Sequence, residues 1–400
     1  MVRTAAGTPV PTIPMQGVMV PQSSINPEAF FEATRGERFG LGTPAFPGYG
    51  GTILTPIRQT GILAGIWVKF SGSLTVTLGG GTCATTSAWP YNLLRSVRFS
   101  ANGQSNLVNT RGWSLKAREL MQRGDLNDRG VARGIGGASP GTSRTQGTLS
   151  LSNENWGVGQ NVTAIPGAPT VYPVELVWWV PIAYDKVDLV GAIFAQTSAT
   201  DLELVMDMAT QVELFTLGGA ATAVLAGNFG IEAEVYSIPM GGDGQIIVPD
   251  LSVFHSIIES RQTGFTVGPN EVRLAGQGVG RQLMRVWFQL LNGTVPSPLA
   301  INSTNFSALS WLYGGNTEPQ RWRDGTALAY ANEDLFSVDF AQFQGFGVMD
   351  WASEHAFRDS IDEGSATELR LLIEVANGVS LTSPAFAYVQ ETLFTGAVGA

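Results

Sequence analysis

Strict alternation of apolar and polar side chains is the feature that leaves this sequence the fewest ways to fold. Leu74, Val76 and Leu78 alternate with Ser73, Thr75 and Thr77; Leu202, Leu204, Met206 and Met208 alternate with Glu203 and Asp207; Ile231, Ala233 and Val235 alternate with Glu232 and Glu234. Successive side chains of a strand point to opposite faces, so this period marks half-buried strands. Ile62, Ala64, Ile66, Val68 and Phe70 read as one face of a strand that precedes the Leu74 strand. Further strands are expected near Arg285 to Leu291 and Leu369 to Val375. Forty-nine glycines and 21 prolines, scattered without a collagen-like period, supply the turns that many short strands need. The fold class that follows is all-β with a few short helices.

The length of 400 residues favours two domains over one. Pro239 to Gly244 reads Pro-Met-Gly-Gly-Asp-Gly, which continues a strand poorly and marks the connection between them. The two halves are similar in length and texture, as two related β-sandwiches would be. Residues 1–25 contain Pro9, Pro11, Pro14 and Pro21 and read as an extended arm. Asn26 as N-cap, Pro27 at the first helical position and Gly36 as a stop predict a short helix over Pro27 to Arg35. It carries Phe30 and Phe31, whose rings either dock the arm on its own domain or meet a neighbour or a lipid surface. Trp113, Ala117, Leu120 and Met121 fall at helical spacing and predict an amphipathic helix, and another is expected to start around Glu318 to Trp322.

Charged residues make up 14% of the chain, against the usual share of about 25%. So few charges fit a subunit whose surface is covered by copies of itself better than a solitary enzyme. The net charge of −10 opposes bulk nucleic-acid binding, and the first 34 residues carry only Arg3 against Glu28 and Glu32. One cysteine, Cys83, excludes an intrachain disulfide. No export signal and no membrane span are expected, since the densest apolar run, Leu176 to Ala183, is too short to cross a bilayer.

Catalytic and metal-binding patterns are weak throughout, and no cofactor is expected. His255 and His355 lack a second histidine or a cysteine at ligand spacing, so each reads as a packed or surface side chain. Gly137-Ala138-Ser139-Pro140-Gly141 matches G-x-S-x-G in form, but Pro140 removes the backbone N–H that an oxyanion hole uses. Gly276, Gly278 and Gly280 lack the strand and helix of a dinucleotide site and read as turn glycines. Arg111, Lys116, Arg118, Arg123, Arg129, Arg133 and Arg144 form a basic cluster against Glu119, Asp125 and Asp128. Salt bridges to a neighbouring subunit are the preferred use of it; phosphate headgroups or nucleic acid are the alternative.

The segment Val177 to Gly191 reads V-W-W-V-P-I-A-Y-D-K-V-D-L-V-G and resembles the aromatic-W-V-P-L-A-Y-x-x-x-D-L-x-G stretch of tectivirus major capsid proteins. Trp179, Val180, Pro181, Ala183, Tyr184, Asp188, Leu189 and Gly191 fall in register, with Trp178 at the preceding aromatic position. Gly61 to Lys69 is similar to that family's first sandwich strand, and Asn92 to Val97 with Gly112-Trp113 to its Asn-Leu strand and Gly-Trp helix start. In the second half the likeness is looser, resting on a helix near Trp322 and on Leu371, Leu372 and Glu374. The resemblance implies a double jelly-roll, two eight-stranded rolls in one chain. It also implies three chains per pseudo-hexagonal capsomer, tiling an icosahedral bacteriophage shell over an internal membrane. Trp178 and Trp179 are then expected on opposite faces of one strand, Pro181 at its end, and Asp188 capping a short helix from Leu189 to Ala195. Family members use a helical N-terminal foot, whereas the prolines here leave helix only from about Pro27.

The expected organisation is an arm over 1–36, a first jelly roll over 37–240 and a second with the C-terminal tail over 241–400. The expected role is a structural, non-enzymatic homotrimeric coat subunit, assembled in the host cytoplasm and resident in the virion. Its partners would be neighbouring trimers, vertex and minor capsid proteins and, through the arm, the viral membrane, with no direct bulk contact to nucleic acid. A carbohydrate-binding β-sandwich is the main alternative, motivated by ten tryptophans. A jelly-roll glycoside hydrolase using Glu232 or Glu234 ranks below it, since alternating strand acids usually form a solvated face.

Overall fold

The structure is a computed structural model. It describes residues 23–395 apart from 87, 102–103, 124–129, 132–168, 197–200, 242–243, 275–279, 294–296, 314–316, 338–344, 353–359 and 363–368. The arm before residue 23, the Gly137 to Gly141 motif, Gly276, Gly278, His355, Arg129, Arg133 and Arg144 lie outside the described residues.

Among the described residues eight main strands, with shorter ones between them, build the first half: β1 (Gly36–Gly42), β2 (Thr52–Pro56), β3 (Ile62–Thr77), β4 (Leu94–Ala101), β5 (Gln104–Thr110), β6 (Thr170–Pro181), β7 (Leu202–Met208) and β8 (Thr222–Tyr236). Eight more follow: β9 (Val253–Thr263), β10 (Gly268–Arg273), β11 (Arg281–Asn292), β12 (Phe306–Tyr313), β13 (Thr317–Trp322), β14 (Phe346–Asp350), β15 (Leu369–Val375) and β16 (Ala385–Thr395). The first set forms two facing sheets, β1-β8-β3-β6 and β2-β7-β4-β5. The second repeats this order with every label raised by eight, giving β9-β16-β11-β14 and β10-β15-β12-β13. The two rolls share one sheet, because β5 pairs in parallel with β9 through Val108 with Ile257 and Asn109 with Ile258. The principal core follows that continuity: Ile257, Trp287, Phe346, Val348 and Val389 of the second roll pack in the same cluster as Val68, Phe99 and Trp178 of the first.

Helix α1 (Pro27–Ala33) has the expected start, with Asn26 Oδ1 accepting from Ala29 N at 3.1 Å. It stops two residues short of Arg35, because Thr34 turns extended and its hydroxyl donates to Ser237 O at 2.6 Å. Helix α2 (Gly112–Arg123) is the amphipathic segment read around Trp113. One turn at Gln211–Leu214 makes α3, and α4 spans Gly325–Phe336. No described helix is long and apolar enough to cross a membrane.

Three expectations need correction. Ile62 to Phe70 and Leu74 to Leu78 do not form two strands, since β3 runs unbroken to Thr77. Nor do its apolar residues share one face. A β-bulge at Ala64 shifts the register against β8, placing Ile62 and Ala64 with Phe30 and Leu189 while Leu63, Ile66, Val68 and Phe70 enter the main core. The helix expected to start around Glu318 to Trp322 starts later, and those residues lie in strand β13, paired with β12 through Trp322 with Leu309 and Arg321 with Ser310. The helix begins after Asp324, whose carboxylate accepts from Ala327 N at 2.9 Å. No helix forms over Leu189 to Ala195. Leu189 and Gly191 take positive φ, 54° and 83°, and Ile193–Phe194 makes a short strand against β3.

Candidate functional site

Pro181 ends β6, and the chain then crosses toward the second roll. The bulged Ala64 carbonyl accepts from both Ile182 N (3.1 Å) and Ala183 N (2.8 Å), and Tyr184 N donates to Val190 O at 2.7 Å, closing the loop. Asp185, not Asp188, caps the turn, its Oδ1 accepting from Val187 N and Asp188 N, both at 2.9 Å. Gly191 has a structural reason as well as a positive φ, because a Cβ there would stand 2.5 Å from His255 Cβ.

Trp178 and Trp179 do take opposite faces. Trp178 is wholly buried in the main core. Trp179 packs at a tilt against Trp67 with centroids 4.7 Å apart, in space that Gly65 leaves open: a Cβ at Gly65 would lie 2.2 Å from the indole. Lys186 Nζ sits 4.0 Å from the Trp179 centroid and 2.6 Å from Glu234 Oε1, while Trp67 Nε1 donates to Glu234 Oε2 at 2.7 Å. Burial pushes the Glu234 carboxyl up, but the hydrogen bonds from Lys186 and Trp67 outweigh it and hold the group below its usual value. Sequence reasoning placed Glu234 on a solvated face; it is buried, while Glu232 pairs with Lys69 at 2.8 Å.

Tyr184 opens the charged centre of the seam between the rolls. Glu391 on β16, fully buried, accepts from Arg118 Nε of α2 at 2.7 Å and from His255 Nε2 of β9 at 2.8 Å. Its second oxygen lies 3.0 Å from Arg285 Nε of β11, which also faces Asp350 of β14 at 3.4 Å. Arg118 Nη2 donates to Tyr184 O at 2.9 Å, and Arg285 Nη2 to Tyr184 OH at 2.8 Å. Desolvation opposes the Glu391 charge, but the two guanidiniums prevail and hold the carboxyl far below the usual range. Burial, assisted by the Arg118 charge, lowers the His255 pKa against the pull of Glu391. His255 Nδ1 lies 3.2 Å from Ile182 O, so neither ring nitrogen is presented to solvent.

For Arg111, Lys116 and Arg118 the reading of the basic cluster as an intersubunit patch is thereby corrected. Lys116 and Arg118 are buried, Lys116 on Glu119 at 3.0 Å and Arg118 on Glu391. Arg111 bonds Glu259 of β9, which also accepts from Thr110 Oγ1 (2.9 Å) and Ser114 Oγ (3.0 Å). Lys116 pairs within α2, while Arg111 and Arg118 join the two rolls of one chain. A buried arginine without a carboxylate is very costly, so their partners had to exist; they lie too far along the chain for a sequence window to find. Arg123 ends α2.

Beside the seam a cavity of about 430 Å³ is lined by Trp179, Tyr184, Lys186, Arg285, Leu335 and Phe336. Lys186 there is bonded to Glu234 and Arg285 faces Asp350 and Glu391, and among the described residues no three His, Cys, Asp or Glu side chains converge as metal ligands. Burial pushes the Cys83 thiol up to about 11, an inert core position. Of the aromatic pair in the arm, Phe30 is buried and Phe31 is partly exposed, 5.2 Å apart edge to face. What the arrangement does chemically is bind one roll to the other.

Residues 52–236 match the P3 major capsid protein N-terminal family. Major capsid protein P3 of Enterobacteria phage PRD1 is 25% identical over 231 residues, 53% of this chain and 54% of that protein, so the chain spans about half the length of the curated relative it matches. Among solved structures, the Sulfolobus turreted icosahedral virus gives a TM-score of 0.61 at 14% identity, covering 91% of both chains. The Faustovirus major capsid protein gives 0.53 at 9% identity, covering 91% of this chain and 90% of its own. The chain is therefore a protein of double jelly-roll fold whose residues 52–236 match the P3 major capsid protein N-terminal family.

Proposed function

We propose that this chain is the structural major capsid protein of a membrane-containing icosahedral bacteriophage, assembling as a homotrimer into pseudo-hexagonal capsomers of the virion shell. Residues 37–240 form the first roll, 241–400 the second, and 1–36 an arm. The observation that carries this reading is the repetition of one eight-strand order in two rolls within a chain whose first roll matches the P3 capsid family. A pair of pseudo-equivalent rolls gives a trimer six similar sides, which tile a shell. Neighbouring trimers, vertex proteins and minor capsid proteins are its partners, and the internal membrane faces the arm, with Phe31 as the exposed ring of α1. The net charge of −10 supports a coat separated from the genome by lipid.

The carbohydrate-binding reading loses its motive in the packing. Sugar sites stack ligands on exposed aromatic rings, and the described tryptophans are buried apart from half-buried Trp322. Light scattering of the purified protein, with negative-stain images of the same sample, is expected to give three times the chain mass of 42.5 kDa and a hexagonal outline. A monomer at high concentration would reject the capsomer.

A further inference from the structure

The seam inside the chain predicts the seam between chains. We propose that strand β13 of one copy adds in parallel to strand β1 of a second copy, as β5 adds to β9 within the chain, and that the second copy covers the outer face of α4. This inference rests on the trimeric reading above and deepens it by naming the edges that meet.

Three observations carry it. The first is topology. With labels raised by eight, β5 corresponds to β13 and β9 to β17, which is β1 of the next copy. Strands β1 and β13 each stand at the end of their sheet, β1 beside β8 and β13 beside β12. An end strand presents unused backbone donors and acceptors and invites another strand.

The second is burial. Helices α2 and α4 follow corresponding strands, each opens on a glycine, and each has 12 residues. Gly112 to Met121 of α2 are buried without a break, because the second roll covers the helix: Trp113 meets Phe346 at 5.8 Å, Ser114 bonds Glu259, and Arg118 bonds Glu391. In α4, Tyr330, Ala331, Asp334 and Leu335 are exposed, Tyr330 to 68%. The cover that α2 receives from the next roll is what α4 lacks, and in a ring of alternating rolls the next roll after the second is the first roll of another copy.

The third is register. Tyr236 and Phe394 occupy matching places, facing Ile62 and Arg281, the first residues of β3 and β11. Their outer partners are Gly36 and Phe254. On the opposite edge, Thr110 faces Val97 as Trp322 faces Leu309. Carrying the Val108–Ile257 and Asn109–Ile258 pairs across sets Gln320 beside Phe39 of the second copy and Arg321 beside its Gly40. A side chain can be placed at Gly40, since a Cβ there meets nothing within 4 Å.

The test is the full chain carrying Gly40→Cys and Arg321→Cys together, treated with a mild thiol oxidant that takes up the two electrons and two protons released as each disulfide forms. Native Cys83 is buried and stays silent. Non-reducing electrophoresis is expected to show a covalent three-chain species, absent from either single variant. Amide hydrogen exchange on the unaltered trimer gives a readout free of substitution: slow exchange is expected along residues 36–42 and 317–322. Trimeric protein with no cross-linking above the single variants, or with freely exchanging amides on both strands, overturns the inference while leaving the trimer standing. A monomeric unaltered protein overturns the capsomer reading itself.

Discussion

His255 and Glu391 touch each other in the seam, yet their titrations act in different pH windows. The folded-state pKa of His255 lies below the ordinary 6.5, so the unfolded chain binds its proton more readily and acid favours unfolding. That penalty begins as pH falls through about 6.5 and grows until the folded value is reached. Glu391 has the opposite origin: its depressed pKa adds stability above the unfolded value of 4.5, lost only as pH falls toward a much lower folded value. Between pH 7 and 5 the slope therefore belongs to the histidine. In urea titrations, His255→Asn is expected to show a smaller loss of stability than the unaltered chain between those two pH values; equal slopes would mean that His255 enters the folded state already charged. The sequence showed His255 only as a packed or surface side chain. Its partner stands 136 residues away, and Arg118 and Glu391 are 273 apart, separations at which local pattern carries no information.

At the scale of elements, alternation predicted strands well where one face is wet and one dry, as in β7, whose burial alternates without fault. It misread β3, which is covered on both faces through much of its length and broken in phase by the bulge at Ala64. Two glycines let this long strand cross its neighbour. Gly72 of β3 and Gly227 of β8 are register partners, and a Cβ on Gly72 would lie 2.2 Å from Ala226 O and 2.8 Å from Gly227 Cα. Backbone cannot retreat as a flexible side chain can, so Gly72→Ala is expected to cost about 3 kcal/mol, the upper part of the range for overpacking. Gly40→Ala, on an open strand, should change the urea midpoint little. A loss at Gly40 as large as that at Gly72 would show that the close approach does not set the cost, since the lower unfolded-state entropy of alanine can only stabilise either variant. The β13 error has a related cause: Trp322 and its neighbours carry no clean alternation, and only pairing with β12 makes them a strand.

For the whole molecule, the P3-like stretch from Val177 to Gly191 made the double jelly-roll legible, while the means of joining the rolls was not. Its residues build the turn that brings Tyr184 to Arg118 and Arg285, so the recognisable motif lies at the joint without containing the ions that close it. The joint combines shared sheet, shared core and buried charge. These elements are mutually dependent: Arg118 comes from the first roll, and Glu391, Arg285 and Asp350 from the second. Glu391→Ala leaves two guanidiniums buried with one fewer carboxylate between them, an expected cost of about 3–5 kcal/mol. If the seam couples the rolls, calorimetry of the unaltered protein gives one endotherm whose calorimetric and van't Hoff enthalpies agree. In Glu391→Ala the transition should move to lower temperature and split, because each roll retains a core of its own once the charged tie is gone. A variant that melts lower but still in one step would place the coupling in the shared core around Trp178, Trp287 and Val389, with the ions setting only its strength.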